Sequence, residues 1–138
     1  MKIVVLKFGG TSVGNIKRIK NVANIINSYH KKRYKLIVVS SAMSGVTNDL
    51  IRKSKEISEN FLPSEYDVLV SSGEQVACSL IAARLSHIGL KSRSWLSWQI
   101  PIITNGIHKN AKILSIYKKK ILDYLKKGGI PIVTGFQG

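Results

Sequence analysis

Short apolar runs alternate with helical patterns along most of the chain. The apolar runs predict strands at 2–8, 35–40, 91–96 and 130–134, with a shorter one near 101–104. Between them, apolar residues recur every three or four positions and predict helices at 16–30, 47–60, 65–87 and 112–127. Strands that alternate with helices favour a parallel sheet with helices packed on its faces. The sequence therefore predicts a fold of the α/β class.

Loops rich in glycine and serine follow three of the predicted strands. Their sequences are Gly9-Gly10-Thr11-Ser12, Ser40-Ser41-Ala42-Met43-Ser44-Gly45 and Gly135-Phe136-Gln137-Gly138. In an open α/β sheet, ligands bind outside the carboxyl ends of the strands. We therefore expect these three loops to meet on one rim and to form a site there.

The first of these loops carries the features of a phosphate site. Lys7 precedes Gly9 and Gly10 at the end of a strand, and a helix pattern follows. Glycines allow backbone N–H groups to approach an anion, and a helix N-terminus adds partial positive charge. The Walker A pattern is excluded, because Asn15 stands where that motif needs its lysine. We interpret Asn15 as the N-cap of the next helix.

Composition narrows the function classes. The 138 residues suffice for one domain, and the apolar runs are too short to predict a membrane span, so we expect a cytoplasmic protein. A net charge of +15 would attract polyanions, but the lysines cluster at predicted helix ends, and no nucleic-acid-binding motif accompanies them. We therefore expect weak, salt-sensitive binding to polyanions without specific recognition of nucleic acid. The single cysteine, Cys78, is predicted to be a small core residue.

Four segments together resemble the aspartokinase family. In chain order they are Lys7-Phe8-Gly9-Gly10-Thr11-Ser12-Val13-Gly14, Ser41-Ala42-Met43-Ser44-Gly45-Val46-Thr47-Asn48, Ser71-Ser72-Gly73-Glu74-Gln75 and Gly135-Phe136-Gln137-Gly138. The resemblance implies an αβα sandwich around a mostly parallel sheet. It also implies transfer of the γ-phosphoryl group of ATP, accompanied by Mg²⁺, to the side-chain carboxylate of L-aspartate. Residues 1–138 would correspond to the N-terminal portion of the kinase domain.

The resemblance also assigns roles to individual residues. Lys7 would be the catalytic lysine. The nucleotide phosphates would be bound by Lys7, Phe8, Gly9, Gly10 and Ser41. The aspartate would be bound by Ser41, Thr47, Val70, Glu74 and Phe136, with the Glu74 carboxylate paired to the substrate ammonium.

Simpler interpretations exist for three of these residues. Thr47 could N-cap the following helix, Ser41 could only fill a turn, and Glu74 could be an ordinary surface charge. The chain also departs from the family pattern, since Ile100-Pro101 and Asn105 stand where members have Ala-Gly and Asp.

The family's Arg-Gly-Gly-Ser-Asp segment, the rest of the kinase domain and the regulatory ACT domains would all lie beyond Gly138. We therefore expect weak or no activity from the chain alone. The alternative is a non-catalytic subunit that binds nucleotide weakly, forms a homo-oligomer or pairs with a second chain that completes it.

Overall fold

The computed structural model describes residues 2–136 of the chain. Its six strands are β1 (Ile3–Phe8), β2 (Lys35–Ser40), β3 (Ser92–Trp95), β4 (Ile102–Thr104), β5 (Ile113–Ile116) and β6 (Ile130–Thr134). Its four helices are α1 (Ile16–Lys31), α2 (Val46–Ile57), α3 (Pro63–His87) and α4 (Lys119–Lys126). Asn15 is the N-cap of α1, as predicted, and its side chain accepts a hydrogen bond from the Arg18 N–H at 2.9 Å.

The main sheet has four parallel strands in the order β1-β2-β6-β3. In this sheet Phe8, the last residue of β1, pairs with Ser40, the last residue of β2. Ser40 in turn pairs with Thr134, the last residue of β6. The predicted α/β class is thus confirmed. The loops after these three strands start from one rim, although Gln137 and Gly138 of the last loop lie outside the described residues.

Helices cover both faces of this sheet. On one face, α1 and α3 enclose a core with Leu36, Val38, Ile130 and Ile132 from the strands. On the other face, Ile121 and Leu125 of α4 pack with Trp95 and Val133. This three-layer arrangement agrees with the expected αβα sandwich. All five residues of β6 are buried, as expected for a strand covered on both sides.

The α4 face is covered unevenly. Ile3 and Val5 of the edge strand β1 point to it, and their side chains are 42% and 59% exposed. Because α4 packs over β6, it leaves this end of the sheet open.

The prediction of a helix at 112–127 is wrong in its first half. Residues Ile113–Ile116 form strand β5, which pairs with β4 in an antiparallel hairpin, and only Lys119–Lys126 is helical. The apolar spacing of this segment suits a helix as well as a strand. Pairing with β4 decides between them, because β-branched isoleucines favour a strand once a partner strand is available.

Helix α3 is long and apolar. It has 25 residues, and by length and composition alone it could cross a membrane. However, 44% of its most apolar 18-residue window is buried against the rest of the protein, and α3 packs on α1, α2 and the sheet. Those contacts are typical of the central helix of a globular core.

Gly73 permits the close packing of α3 on α2. A Cβ at this position would lie 2.9 Å from Val46 Cγ1, 3.2 Å from Leu50 Cδ1 and 3.3 Å from Ala42 Cβ. We expect Gly73→Ala to destabilise the protein by about 1–2 kcal/mol, because this overpacking outweighs the higher helix propensity of alanine. Urea unfolding would measure the change. Gly106→Ala is the control, since a Cβ there contacts nothing within 4 Å; equal stability of the two variants would contradict the prediction.

Candidate active site

The loops at the carboxyl ends of the strands are joined by backbone contacts. The Ser41 N–H donates to the Phe8 carbonyl at 3.0 Å, and the Gly135 N–H donates to the Ser40 carbonyl at 3.3 Å. Gly10 approaches the second loop so closely that a Cβ on it would lie 3.2 Å from the Ala42 carbonyl oxygen. The three loops therefore form one continuous wall.

A cavity of about 240 Å³ opens along this wall. It is lined by residues from all three loops and from α2 and α3: Gly10, Ser41, Ala42, Met43, Ser44, Gly45, Thr47, Asn48, Glu74 and Phe136. The lining is mostly small side chains and backbone, so main-chain N–H groups can approach a bound molecule. Such N–H groups can donate hydrogen bonds to the oxygens of a bound anionic group.

Glu74 is the charged residue in the cavity lining. Glu74 is 3% exposed, and no group among residues 2–136 donates a hydrogen bond to its Oε2 atom. Burial raises the pKa of this carboxyl from 4.5 to about 7, while a hydrogen bond from the Ala42 backbone and the positive charge of Lys7 oppose part of the rise. The backbone of Gly135 lies against the carboxylate, and any Cβ there would overlap Oε2. A buried acceptor without a partner is costly unless a ligand donates to it.

Cys78 lies one helical turn beyond Glu74 and is fully buried. Its thiol donates to the Val133 carbonyl at 3.5 Å. Burial, and secondarily the charge of Glu74, raise the pKa of this thiol to about 12. A thiol in this state is unreactive, which agrees with the expected core role.

The start of α2 also faces the cavity. Its N-cap is Gly45, in the left-handed conformation with φ 82°, and no side chain caps this end. Thr47 lies inside the helix, so its interpretation as the N-cap is wrong. An uncapped N-terminus leaves N–H groups available to a ligand.

A second and larger cleft, of about 500 Å³, adjoins this cavity. The two share Thr47 and Phe136 in their linings. The rest of the cleft is lined by α2, α3 and the β4–β5 hairpin through Ile51, Tyr66, Asp67, Val70, Thr104, Lys109, Ala111 and Ile113. A ligand at Glu74 would thus have the hairpin as its next neighbour.

Comparison with known proteins agrees with this geometry. The sequence profile described as "Amino acid kinase family" matches residues 2–138. The chain belongs to the amino acid kinase family. It is 45% identical to an aspartokinase of Rickettsia felis, over all of this chain and 35% of that protein.

Solved structures show the same fold of the amino acid kinase family. An aspartate kinase from Synechocystis is 33% identical, with a TM-score of 0.83 over 96% of this chain and 22% of that one. A carbamate kinase from Giardia lamblia has a TM-score of 0.74 at 12% identity, over 99% of this chain and 57% of that one, and shows the fold alone. The chain spans about a third of the length of the curated relatives it matches.

The structure groups the predicted site residues of this amino acid kinase chain in three sets. The smaller cavity brings together Gly10, Ser41, Thr47, Glu74 and Phe136. Val70 lines the larger cleft. Lys7 and Phe8 are the last residues of β1, and Gly9 begins the first loop. These three residues lie at the same rim but outside both cavity linings.

The predicted phosphate residues differ in what they expose. Lys7 is exposed, whereas the Phe8 side chain is 9% exposed and packs in the core beneath its loop. Only the backbone of Phe8 could therefore reach a ligand. Glu74 is buried, so the interpretation as an ordinary surface charge is wrong.

Sequence reasoning missed several residues of the site. Within the second loop it did not single out Ala42, whose backbone contacts Glu74. It also missed the hairpin residues Lys109 and Ile113 and their neighbour Asp67. A predicted hairpin at this position would have pointed to these residues, but the segment 112–127 was predicted to be a helix.

Proposed function

We propose that this chain carries the site of an aspartate kinase, which transfers the γ-phosphoryl group of MgATP to the side-chain carboxylate of L-aspartate. The observation that carries the proposal is Glu74, a buried carboxylate with an unpartnered oxygen in a cavity built from backbone and small side chains. The similarity of the whole chain to aspartokinases supports the same choice of substrates.

At the phosphate end, Lys7 and the first loop would bind the nucleotide. Lys7 supplies a full positive charge, and Gly9 and Gly10 allow N–H groups to approach the phosphates. Ser41 follows β2 on the adjoining loop and lines the smaller cavity. The Mg²⁺ would arrive with ATP as part of the substrate.

At the acceptor end, Glu74 would bind the α-ammonium group of aspartate. An ammonium group donates hydrogen bonds and carries the positive charge that would balance a buried carboxylate. Its binding would therefore give Oε2 a hydrogen-bond donor. Thr47 adds a hydroxyl, and Val70 and Phe136 add apolar walls. This arrangement would aim the side-chain carboxylate of the substrate at the phosphate end.

The reaction needs little acid–base chemistry from the protein. The acceptor carboxylate is already ionised at neutral pH, so no residue has to remove a proton. The barrier comes from bringing two anions together and from charge on the transferred group. Lys7, the loop N–H groups and the uncapped start of α2 would lower that barrier by electrostatic stabilisation.

We infer that the chain corresponds to the N-terminal portion of an amino acid kinase domain and is weakly active by itself. The relatives are about three times as long, and the Arg-Gly-Gly-Ser-Asp segment of the family does not occur in these 138 residues. Loss of one electrostatic donor commonly lowers the rate by about 10²–10³-fold. Turnover would therefore be slow even with both substrates bound.

Calorimetric titration with MgATP and with L-aspartate, followed by hydroxylamine trapping of acyl phosphate, tests this proposal. We expect measurable binding of both substrates and slow formation of hydroxamate. L-Asparagine is the matched control ligand, because it keeps the ammonium but lacks the acceptor carboxylate. Absence of binding to both substrates would refute the proposal, and fast turnover would refute the inferred weak activity.

The open end of the sheet supports a second candidate, a subunit that pairs with a second chain. Ile3 and Val5 are exposed on the face that α4 leaves uncovered, and exposed apolar patches mark interaction sites. This candidate predicts weak nucleotide binding by the chain alone and activity only after a partner is added. Hydroxamate formation by the chain alone distinguishes the two candidates, because only the first predicts slow turnover without a partner.

A further inference from the structure

Asp67 of α3 is bonded to the tip of the β4–β5 hairpin. Its Oδ2 atom lies 2.6 Å from His108 Nδ1, and its two carboxylate oxygens accept the Lys109 N–H at 3.3 and 3.4 Å. The Lys109 ammonium also lies over the ring of Tyr66, 4.7 Å from its centroid. Two consecutive residues of the tip are therefore held by two consecutive residues of one helix.

The hairpin has few other attachments. All four residues of β5 are exposed, and at its base the Tyr117 N–H donates to the Pro101 carbonyl at 3.0 Å. Lys109 adopts a positive φ of 65°, a conformation that costs energy for a side chain other than glycine. A segment with little buried surface opens easily unless specific bonds hold it. Asp67 supplies such bonds at the end where the backbone is strained.

We propose that Asp67 is a positioning residue that holds the hairpin as a wall of the larger cleft, next to the site for the acceptor amino acid. The cleft lining supports this role, because Thr104, Lys109 and Ile113 of the hairpin line the cleft together with residues of α2 and α3. If the tip were released, the hairpin side of the cleft would open to water. The space beside Thr47 and Phe136 would then lose this wall. The effect on the acceptor rests on the proposed function, whereas the closure of the hairpin does not.

Hydrogen exchange of backbone amides in residues 104–113 tests the closure. Asp67→Ala removes both bonds, and we expect exchange there to become about five- to tenfold faster, with Asp67→Asn intermediate because its amide oxygen can still accept a hydrogen bond. Asp123→Ala is the matched control, since Asp123 is an exposed helical aspartate whose lysine partner, Lys126, lies 3.7 Å away on α4. Exchange in Asp67→Ala within about twofold of the wild-type rate would overturn the proposal.

Binding of the two substrates tests the positioning role. In Asp67→Ala we expect the Kd for L-aspartate to rise about five- to tenfold while the Kd for MgATP is unchanged, and Asp67→Glu should restore part of the loss. Equal weakening of both ligands, or unchanged aspartate affinity despite a released hairpin, would overturn it. If the wild-type chain bound neither ligand, the proposed function would fail, and the exchange measurement would still decide whether Asp67 closes the hairpin.

Discussion

Replacing Lys7 with alanine is expected to weaken MgATP binding by about 10- to 100-fold. Lys7 is exposed at the end of β1, where its ammonium can contact phosphate oxygens, and a charge-assisted contact of this kind typically contributes 1.5–3 kcal/mol. The fold should be unaffected, because an exposed side chain contributes little to stability. Calorimetric titration with MgATP would measure the loss.

Lys2→Ala is the matched control for this prediction. Lys2 immediately precedes the same strand at its other end, is also exposed, and lies 5.7 Å from the Tyr34 ring centroid. The two variants lower the net charge equally, so a general attraction of ATP to the basic protein would weaken equally in both. Equal loss in Lys2→Ala and Lys7→Ala would contradict a phosphate site at Lys7.

Glu74→Gln is expected to make the protein more stable than the wild type at alkaline pH and equally stable at acid pH. The pKa of Glu74 is about 7 in the folded state, above its ordinary 4.5, so the folded protein retains a proton that the unfolded chain has released. The contribution of Glu74 to wild-type stability is therefore greatest below about pH 4.5 and is lost as the pH rises through 7. The loss is on the order of 1–3 kcal/mol, and the neutral glutamine avoids it.

Urea unfolding of both proteins at about pH 5 and pH 8 would measure this difference. Glu56→Gln is a suitable control, because Glu56 is an exposed carboxylate bonded to Arg52 on the surface of α2. Its free-energy difference from the wild type should change little between the two pH values. A difference between Glu74→Gln and the wild type that is the same at both pH values would show that folding does not raise the pKa of Glu74, and it would contradict the prediction.

Local sequence was sufficient for the parts of the fold that local chemistry decides. The apolar runs of the sheet strands and the cap at Asn15 act within a few residues, so they could be predicted. Strand β5 could not, because the choice between helix and strand for Ile113–Ile116 depends on pairing with Ile102–Thr104 across a loop. Long-range pairing is invisible to a pattern of apolar spacing.

The candidate site shows the same division. The grouping of Gly10, Ser41 and Phe136 follows from parallel strands whose loops share a rim, so topology predicted it. The unpartnered state of Glu74 Oε2 could not be predicted from the sequence, because the hydrogen bonding of a buried oxygen depends on every neighbour in space. The bond between Asp67 and His108 joins residues 41 positions apart, and no motif signals it.

Nucleotide binding at the rim formed by the ends of β1 and β2 can be mapped by titrating isotope-labelled protein with MgADP and following its amide spectrum. We expect the largest shifts at the backbone amides of Gly9, Gly10 and Ser41, in the loops joined at this rim. The opposite rim provides the comparison, because Lys32 and Lys127 stand there at the ends of α1 and α4. Largest shifts at Lys32 and Lys127, with the three loop amides unmoved, would contradict nucleotide binding at the β1–β2 rim.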